Sequence, residues 1–191
     1  SFSRDCRQLV YTTWNDESLG SIRVLDTTSG AVRTLTEVPG HYANPVFTPD
    51  GAEVLFEKRT GGYVTSPLWS TAPGIYRLAV AGGEPVLVTK EGRAPQFTAD
   101  GKRVFLMKVG EEKEADRREL FSIELDGSDR RTHLVSKWAT EFTLSPERRR
   151  AVEQELGVEV LVRWQHPERG LLPPGDFIQP RGTNSTSSTP V

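Results

Sequence analysis

Apolar and polar residues alternate through short runs over roughly the first three quarters of the chain. Ser21–Asp26 (SIRVLD), residues 74–80 (GIYRLAV) and residues 119–125 (ELFSIEL) each change character at nearly every step. A period of two is the mark of a strand with one face buried and one exposed. Each run meets a turn signal, Ser29-Gly30, Gly82-Gly83 or Asp126-Gly127, and resumes as a second apolar stretch over 31–36, 84–89 or 130–135. These are three hairpins. Between them lie two more strand-like segments, residues 53–56 (EVLF) and 103–106 (RVFL), each after an Asp-Gly turn. Asp-Gly suits a short hairpin because glycine accepts φ > 0 and the aspartate can bond its own backbone.

The Asp-Gly phrase repeats. Phe47-Thr48-Pro49-Asp50-Gly51 recurs as Phe97-Thr98-Ala99-Asp100-Gly101, 50 residues later, each with a proline two residues before the aromatic (Pro45, Pro95). Phe2-Ser3-Arg4-Asp5-Cys6 is a weaker copy 45 residues upstream, and Leu144-Ser145-Pro146-Glu147-Arg148 a weaker copy 47 residues downstream. Two hairpins per repeat make a four-stranded antiparallel unit that cannot cover its own apolar face, which is the unit that propellers stack around an axis. The pattern predicts an all-β chain, a partial β-propeller of about three four-stranded blades near 1–43, 44–92 and 93–141, with a short irregular C-terminal segment; a β-sandwich is the alternative. Phe47, Phe56, Phe97, Phe105 and Trp69 are expected as core between blades. Val54 and Val104 should be equivalent, and Phe56 and Phe105 should superpose. Cys6 takes the place of the turn glycine.

At these residues the sequence resembles a known family. The phrases from Asn44 to Gly51 and from Ala94 to Lys102, with Ala81-Gly82-Gly83-Glu84-Pro85, look like the WD40-like PD40 repeat of TolB-type β-propellers. The run 120–146 is similar to the TolB-like propeller that precedes the catalytic domain of some bacterial metal-dependent amidohydrolases. That resemblance implies a binding or scaffolding module, with a protein partner or further blades against its ends, and a periplasmic setting. It marks architecture and assigns no catalytic residue.

A different grammar begins near Arg150. Residues 157–178 (GVEVLVRWQHPERGLLPPGDFI) lack turn punctuation and resemble the opening signature of the EAL domain, a cyclic-di-GMP phosphodiesterase. The resemblance implies that Glu159 is a hard oxygen ligand for Mg²⁺ or Mn²⁺ and that Arg163 offers its planar fork to a phosphate. It also implies a cytoplasmic setting, opposed to the first. Val160 stands where that family has alanine. One carboxylate does not assemble a two-metal site, and an EAL barrel needs on the order of 250 residues, so 149–180 is expected to be an inactive fragment, with one strand near 159–164 and an irregular loop after it. Joining of unrelated coding segments accounts for the two grammars in one chain.

Composition adds exclusions. A formal net charge of −2 across 191 residues and only short basic runs, such as Arg148-Arg149-Arg150, give no footprint for nucleic acid. Residues 111–118 read as a mixed-charge, solvated loop. The single cysteine rules out an intrachain disulfide. His41, His133 and His166 have no second ligand at metal spacing, Ser145 does not sit in a nucleophile elbow, and no cofactor is implied unless the EAL resemblance carries one. No apolar run approaches the roughly 20 residues of a membrane span. Residues 1–6 begin inside a repeat without a leader-like segment, so Ser1 is not expected to be the natural start. Residues 181–191 are expected as a disordered polar tail; Asn184-Ser185-Thr186 fits the glycosylation pattern there by coincidence. Unfinished blade faces would favour self-association.

Overall fold

A computed structural model describes residues 1–61, 70–110, 116–137, 142 and 144, and the backbone of 164–166 and 170–172. Three antiparallel sheets follow one another along the chain. The first joins β1 (Gln8–Thr13), β2 (Ser21–Asp26) and β3 (Val32–Thr34) in that order. The second orders β4 (His41–Phe47), β5 (Glu53–Arg59), β6 (Gly74–Ala79) and β7 (Val86–Thr89). The third orders β8 (Arg93–Phe97), β9 (Arg103–Val109), β10 (Arg117–Glu124) and β11 (Arg131–Lys137). In the first sheet a fourth strand is reduced to a single bridge, Phe2 to Leu9. These are the blades of a partial β-propeller, and no helix occurs among the described residues.

A Ser/Thr-x-Asp unit builds each blade's first turn. The hydroxyls of Ser3 and Thr48 donate to Asp5 and Asp50 at 2.7 and 2.6 Å, and Thr98 donates to Asp100 in the same way. Each hydroxyl also accepts the N–H five residues on, from Gln8, Glu53 and Arg103. Each aspartate accepts the N–H two residues on, from Arg7, Ala52 and Lys102. A backbone pair, Thr48 N–H to Glu53 and Gly51 N–H to Thr48, closes the turn, and its counterparts recur at Ser3 and Thr98. The turn requires a left-handed residue: Gly51 and Gly101 both have φ 73° and Cys6 has φ 58°. Cysteine thus stands in a glycine position, as its place in the repeat indicates.

Because the turn has one geometry, it fixes one register. Phe47 pairs with Val54 and Phe97 with Val104, while Val46 pairs with Leu55 and Gln96 with Phe105. Positions of β4 and β5 therefore map onto β8 and β9 at a shift of 50. Phe56 corresponds to Leu106, and Phe105 to Leu55; the expected Phe56–Phe105 equivalence is corrected, since a one-residue offset places a side chain on the opposite face of a strand. All four phenylalanines and both valines are nonetheless buried. Val54, Phe56 and Phe47 pack toward the first blade against Val10, Ile22 and Val24. Leu55 and Ile75 pack toward the third blade against Val104, Leu106, Phe121 and Ile123. Phe105, Met107 and Leu120 form a further layer with Phe142 and Leu144. Burying each such side chain contributes about 1.5–3 kcal/mol, so these layers hold the blades side by side.

Beyond the third blade, Gln96 spans to the next segment: its Nε2 donates to the Phe142 carbonyl at 2.7 Å and its Oε1 accepts the Leu144 N–H at 3.0 Å. One side-chain amide thereby does what a paired strand's peptide group would do. Farther on, Trp164–His166 and Gly170–Leu172 pair as a two-stranded hairpin. This corrects the single strand expected over 159–164. Trp69 and the tail over 181–191 lie outside the described residues.

Candidate functional site

Strand direction sorts the connections onto two ends. Tight turns over 3–6, 27–31, 48–51, 80–85, 98–101 and 126–129 lie at one end. The pairings Thr13 with Ser21, His41 with Arg59 and Arg118 with Val109 place the other connections at the opposite end. That loop end carries the half-exposed Trp14 and a group of charged residues, and loops on a rigid sheet scaffold are where binding residues gather.

Its first element is Trp14, on the β1–β2 connection and 51% exposed. Trp14 meets His41 of the next blade edge to face, with ring centroids 6.2 Å apart. The two blades come close here through Gly20 and Gly40, which form a bridge. A side chain at Gly20 would place its Cβ 2.2 Å from the Gly40 carbonyl oxygen, so any larger residue would push the blades apart beneath Trp14. His41 is set by Ser70: the His41 N–H donates to Ser70 Oγ at 3.2 Å, and Ser70 Oγ donates to the Arg59 carbonyl at 2.6 Å. The ring nitrogen Nδ1 lies 3.1 Å from the Thr60 carbonyl.

Next to this pair lies a charged group. Glu57, buried at 8% exposure, receives Arg59 Nε on Oε1 at 2.7 Å and Asn44 Nδ2 on Oε2 at 2.9 Å. Asn44 reaches it because it takes φ 49° at a bulge in β4. In the third blade Ala94 has φ 53° at the matching bulge and has no such side chain. Arg93, the first residue of β8, sits in the field of Arg118, Glu57 and Arg59. Partial burial, and then the neighbouring Arg118, pulls its guanidinium below the ordinary arginine range.

A second polar group lies on the outer face of the third blade, which sequence reading missed. Arg103, 9% exposed, donates from Nε to Ser122 Oγ at 2.9 Å and from Nη1 to Asp129 at 2.7 Å. Ser122 Oγ is 2.7 Å from His133 Nε2, and the His133 ring lies on Phe105 with centroids 4.7 Å apart. Burial, then Arg103 and Arg131, pushes His133 below its ordinary value. Ser122 Oγ and His133 Nε2 share a hydrogen bond that either atom could donate, while Ser122 Oγ also accepts from Arg103. The serine–histidine contact resembles half of a nucleophile pair. Its environment runs against that use, because Ser122 has no exposed surface and Asp129 is engaged by Arg103 and Arg131, not by the imidazole. The group reads as a clamp joining β9, β10 and the β10–β11 turn. Its members are separated by 11 to 26 residues, so no local motif signals it.

Of the residues singled out in the sequence, Asp50 accepts from Thr48 and Ala52, which hold its carboxyl below the usual range, and Cys6 is exposed. Glu159 and Arg163 lie outside the described residues. Among the described residues no helix is long and apolar enough to cross a membrane.

No protein-family model matches the chain, and no curated protein matches it by sequence. Solved structures do match. TolB from Acinetobacter baumannii aligns with a TM-score of 0.62 at 19% identity, over 88% of this chain and 38% of that one. A protein assigned as TolB from Agrobacterium tumefaciens aligns at 0.56 and 20%, over 71% and 48%. Oligogalacturonate lyase in complex with manganese aligns at 0.58 and 14%, over 75% and 43%. The chain spans less than half the length of each of these proteins. At such identities the likeness concerns architecture, and fold alone does not fix activity. Strand order, register and structural neighbours agree that the chain has the TolB-like β-propeller fold.

Proposed function

We propose that the chain is a non-catalytic binding module, part of a larger bacterial protein, that holds a protein partner at the loop end of its blades. The observation that carries this reading is the half-exposed Trp14 braced on His41 beside the Arg59–Glu57 pair. Tryptophan and arginine on a rigid frame are the residue types that dominate protein–protein binding energy. The PD40 resemblance supports the scaffold role, and the likeness of 120–146 to propellers that precede amidohydrolases supports a larger parent. The cyclic-di-GMP reading is not favoured, because its signature over 157–178 supplies one carboxylate, Glu159, and one arginine, Arg163, short of a two-metal site.

The test is site-specific photocross-linking in the native host. A benzoyl-phenylalanine at position 14 is expected to give a discrete adduct with one protein, and the same group at Thr28, on the tight-turn end, is expected to give none. Equal labelling from both positions would defeat the assignment of the loop end.

A further inference from the structure

The β1–β2 connection is built as a rigid tip. Asn15 Oδ1 accepts the N–H groups of Glu17 and Ser18 at 2.8 and 3.1 Å, and the Asn15 N–H donates to the Leu19 carbonyl at 3.3 Å, with Leu19 held at φ 59°. Trp14 is fixed on this tip from two sides. Its Nε1–H donates to Asp16 Oδ1 at 2.8 Å, and its ring meets His41 with centroids 6.2 Å apart. The polar edge of the indole is thus engaged within the tip, yet the residue stays 51% exposed, so what it offers outward is ring surface. Charge at the tip has one sign. Asp16 and Glu17 are exposed and make no ion pair among the described residues, and the chain carries no lysine or arginine between Arg7 and Arg23. Of the cations on β2 and at the end of β5, Arg23 turns its Nε to Ser21 Oγ at 3.4 Å, Lys58 lies over the Tyr76 ring and Arg59 holds Glu57.

An aromatic ring beside an unpaired carboxylate is complementary to a cation, which the negative face of the ring and the acid attract together. We infer, resting on the loop-end binding reading above, that Trp14 and Asp16 form the recognition site for an arginine side chain of the protein partner, its guanidinium lying over the indole and its N–H fork reaching the carboxylate. Asp16 Oδ1 already accepts from the indole, which sets the carboxylate at the edge of the ring and leaves Oδ2 for the partner. Arginine fits better than lysine. A planar, weakly hydrated guanidinium can stack on the ring and still present donors at its edge, whereas an ammonium is a compact, strongly hydrated point charge.

The test is titration of the 191-residue protein with acetyl-arginine amide, acetyl-lysine amide and acetyl-glutamate amide at constant pH and ionic strength. Binding is read from the Trp14 indole N–H NMR resonance, assigned as the one lost in Trp14→Phe. The expected result is a saturable shift with the arginine amide, weaker binding of the lysine amide and none of the glutamate amide. Asp16→Asn, which keeps an oxygen for the indole and removes the charge, should weaken the arginine amide about threefold or more, and Thr28→Ala, on the opposite end, should be unchanged. Unaltered affinity in Asp16→Asn, equal shifts with the glutamate amide, or shifts that never saturate would overturn the site. Lysine amide binding as tightly as arginine amide would overturn its arginine preference. A cross-link from position 14 without arginine binding would defeat this site and keep the loop-end reading, whereas arginine binding without a cross-link would leave the site and defeat the protein-partner reading.

Discussion

At φ 58° the backbone of Cys6 lies in the left-handed region, which costs an L-residue roughly 1–2 kcal/mol. The equivalent residues, Gly51 and Gly101, avoid that cost. Cys6→Gly is therefore expected to stabilise the protein by about 0.5–1 kcal/mol after allowance for glycine's larger unfolded-state entropy, measured as a rise in the urea midpoint. His133 gives a pH dependence. Its folded pKa lies below its unfolded value, with burial the first cause, so the unfolded chain binds the proton more readily. The stability it contributes is present above the unfolded pKa of about 6.5 and declines as pH falls below it. Urea midpoints between about pH 7.5 and 5.5 should fall more steeply for wild type than for His133→Gln; identical slopes would show that His133 stays solvated. The Cys6 turn was legible in the sequence because the Ser3 and Asp5 bonds that build it span no more than five positions. The His133 clamp was not, since Arg103, Ser122 and Asp129 meet it only after three strands have paired.

Among the elements, the hairpin turn governs everything that follows it. Ser/Thr-x-Asp-Gly is a local pattern, so strand existence could be read directly, and so could the repeat. The faces could not be read from residue type alone: Val54-Leu55-Phe56 and Val104-Phe105-Leu106 are apolar throughout, and only the observed register shows which side chains point to which neighbour. Phe56 lies between the first two blades and Phe105 beyond the third. Truncating either to alanine should cost about 3–5 kcal/mol, with separate spectral footprints. Phe56→Ala should shift the methyl resonances of Val10, Ile22 and Val24, and Phe105→Ala those of Met107 and Leu120. A shared footprint would contradict the register. The loop end was the least legible part, because Trp14 lies on the β1–β2 connection while His41 opens β4 of the next blade, and the two share no common motif.

For the whole molecule, the repeat can be compared with itself. Phe47 and Phe97 are 6% and 9% exposed, whereas Phe2, their counterpart, is 58% exposed. Leu9, Tyr11 and Leu25 on the same face of the first blade are only partly covered, while their counterparts Val54, Phe56 and Leu78 are enclosed. Such a face gains by association. The 191-residue protein is expected to sediment as a concentration-dependent mixture, and Tyr11→Lys together with Phe2→Lys should shift it toward monomer; a monodisperse wild-type monomer would count against this. The shift of 50 between the first hairpins of the second and third blades has a consequence for the gene. An in-frame loss of the codons for 47–96 would join Val46 to Phe97, and the strand so formed would enter the Thr98-Asp100 turn in the register that β4 already uses. Val104 and Leu106 would then meet Val10 and Val24 in place of Val54 and Phe56. Unequal recombination between neighbouring repeats can thus remove or add one blade without breaking a hairpin, which makes blade number an inherited variable of the locus.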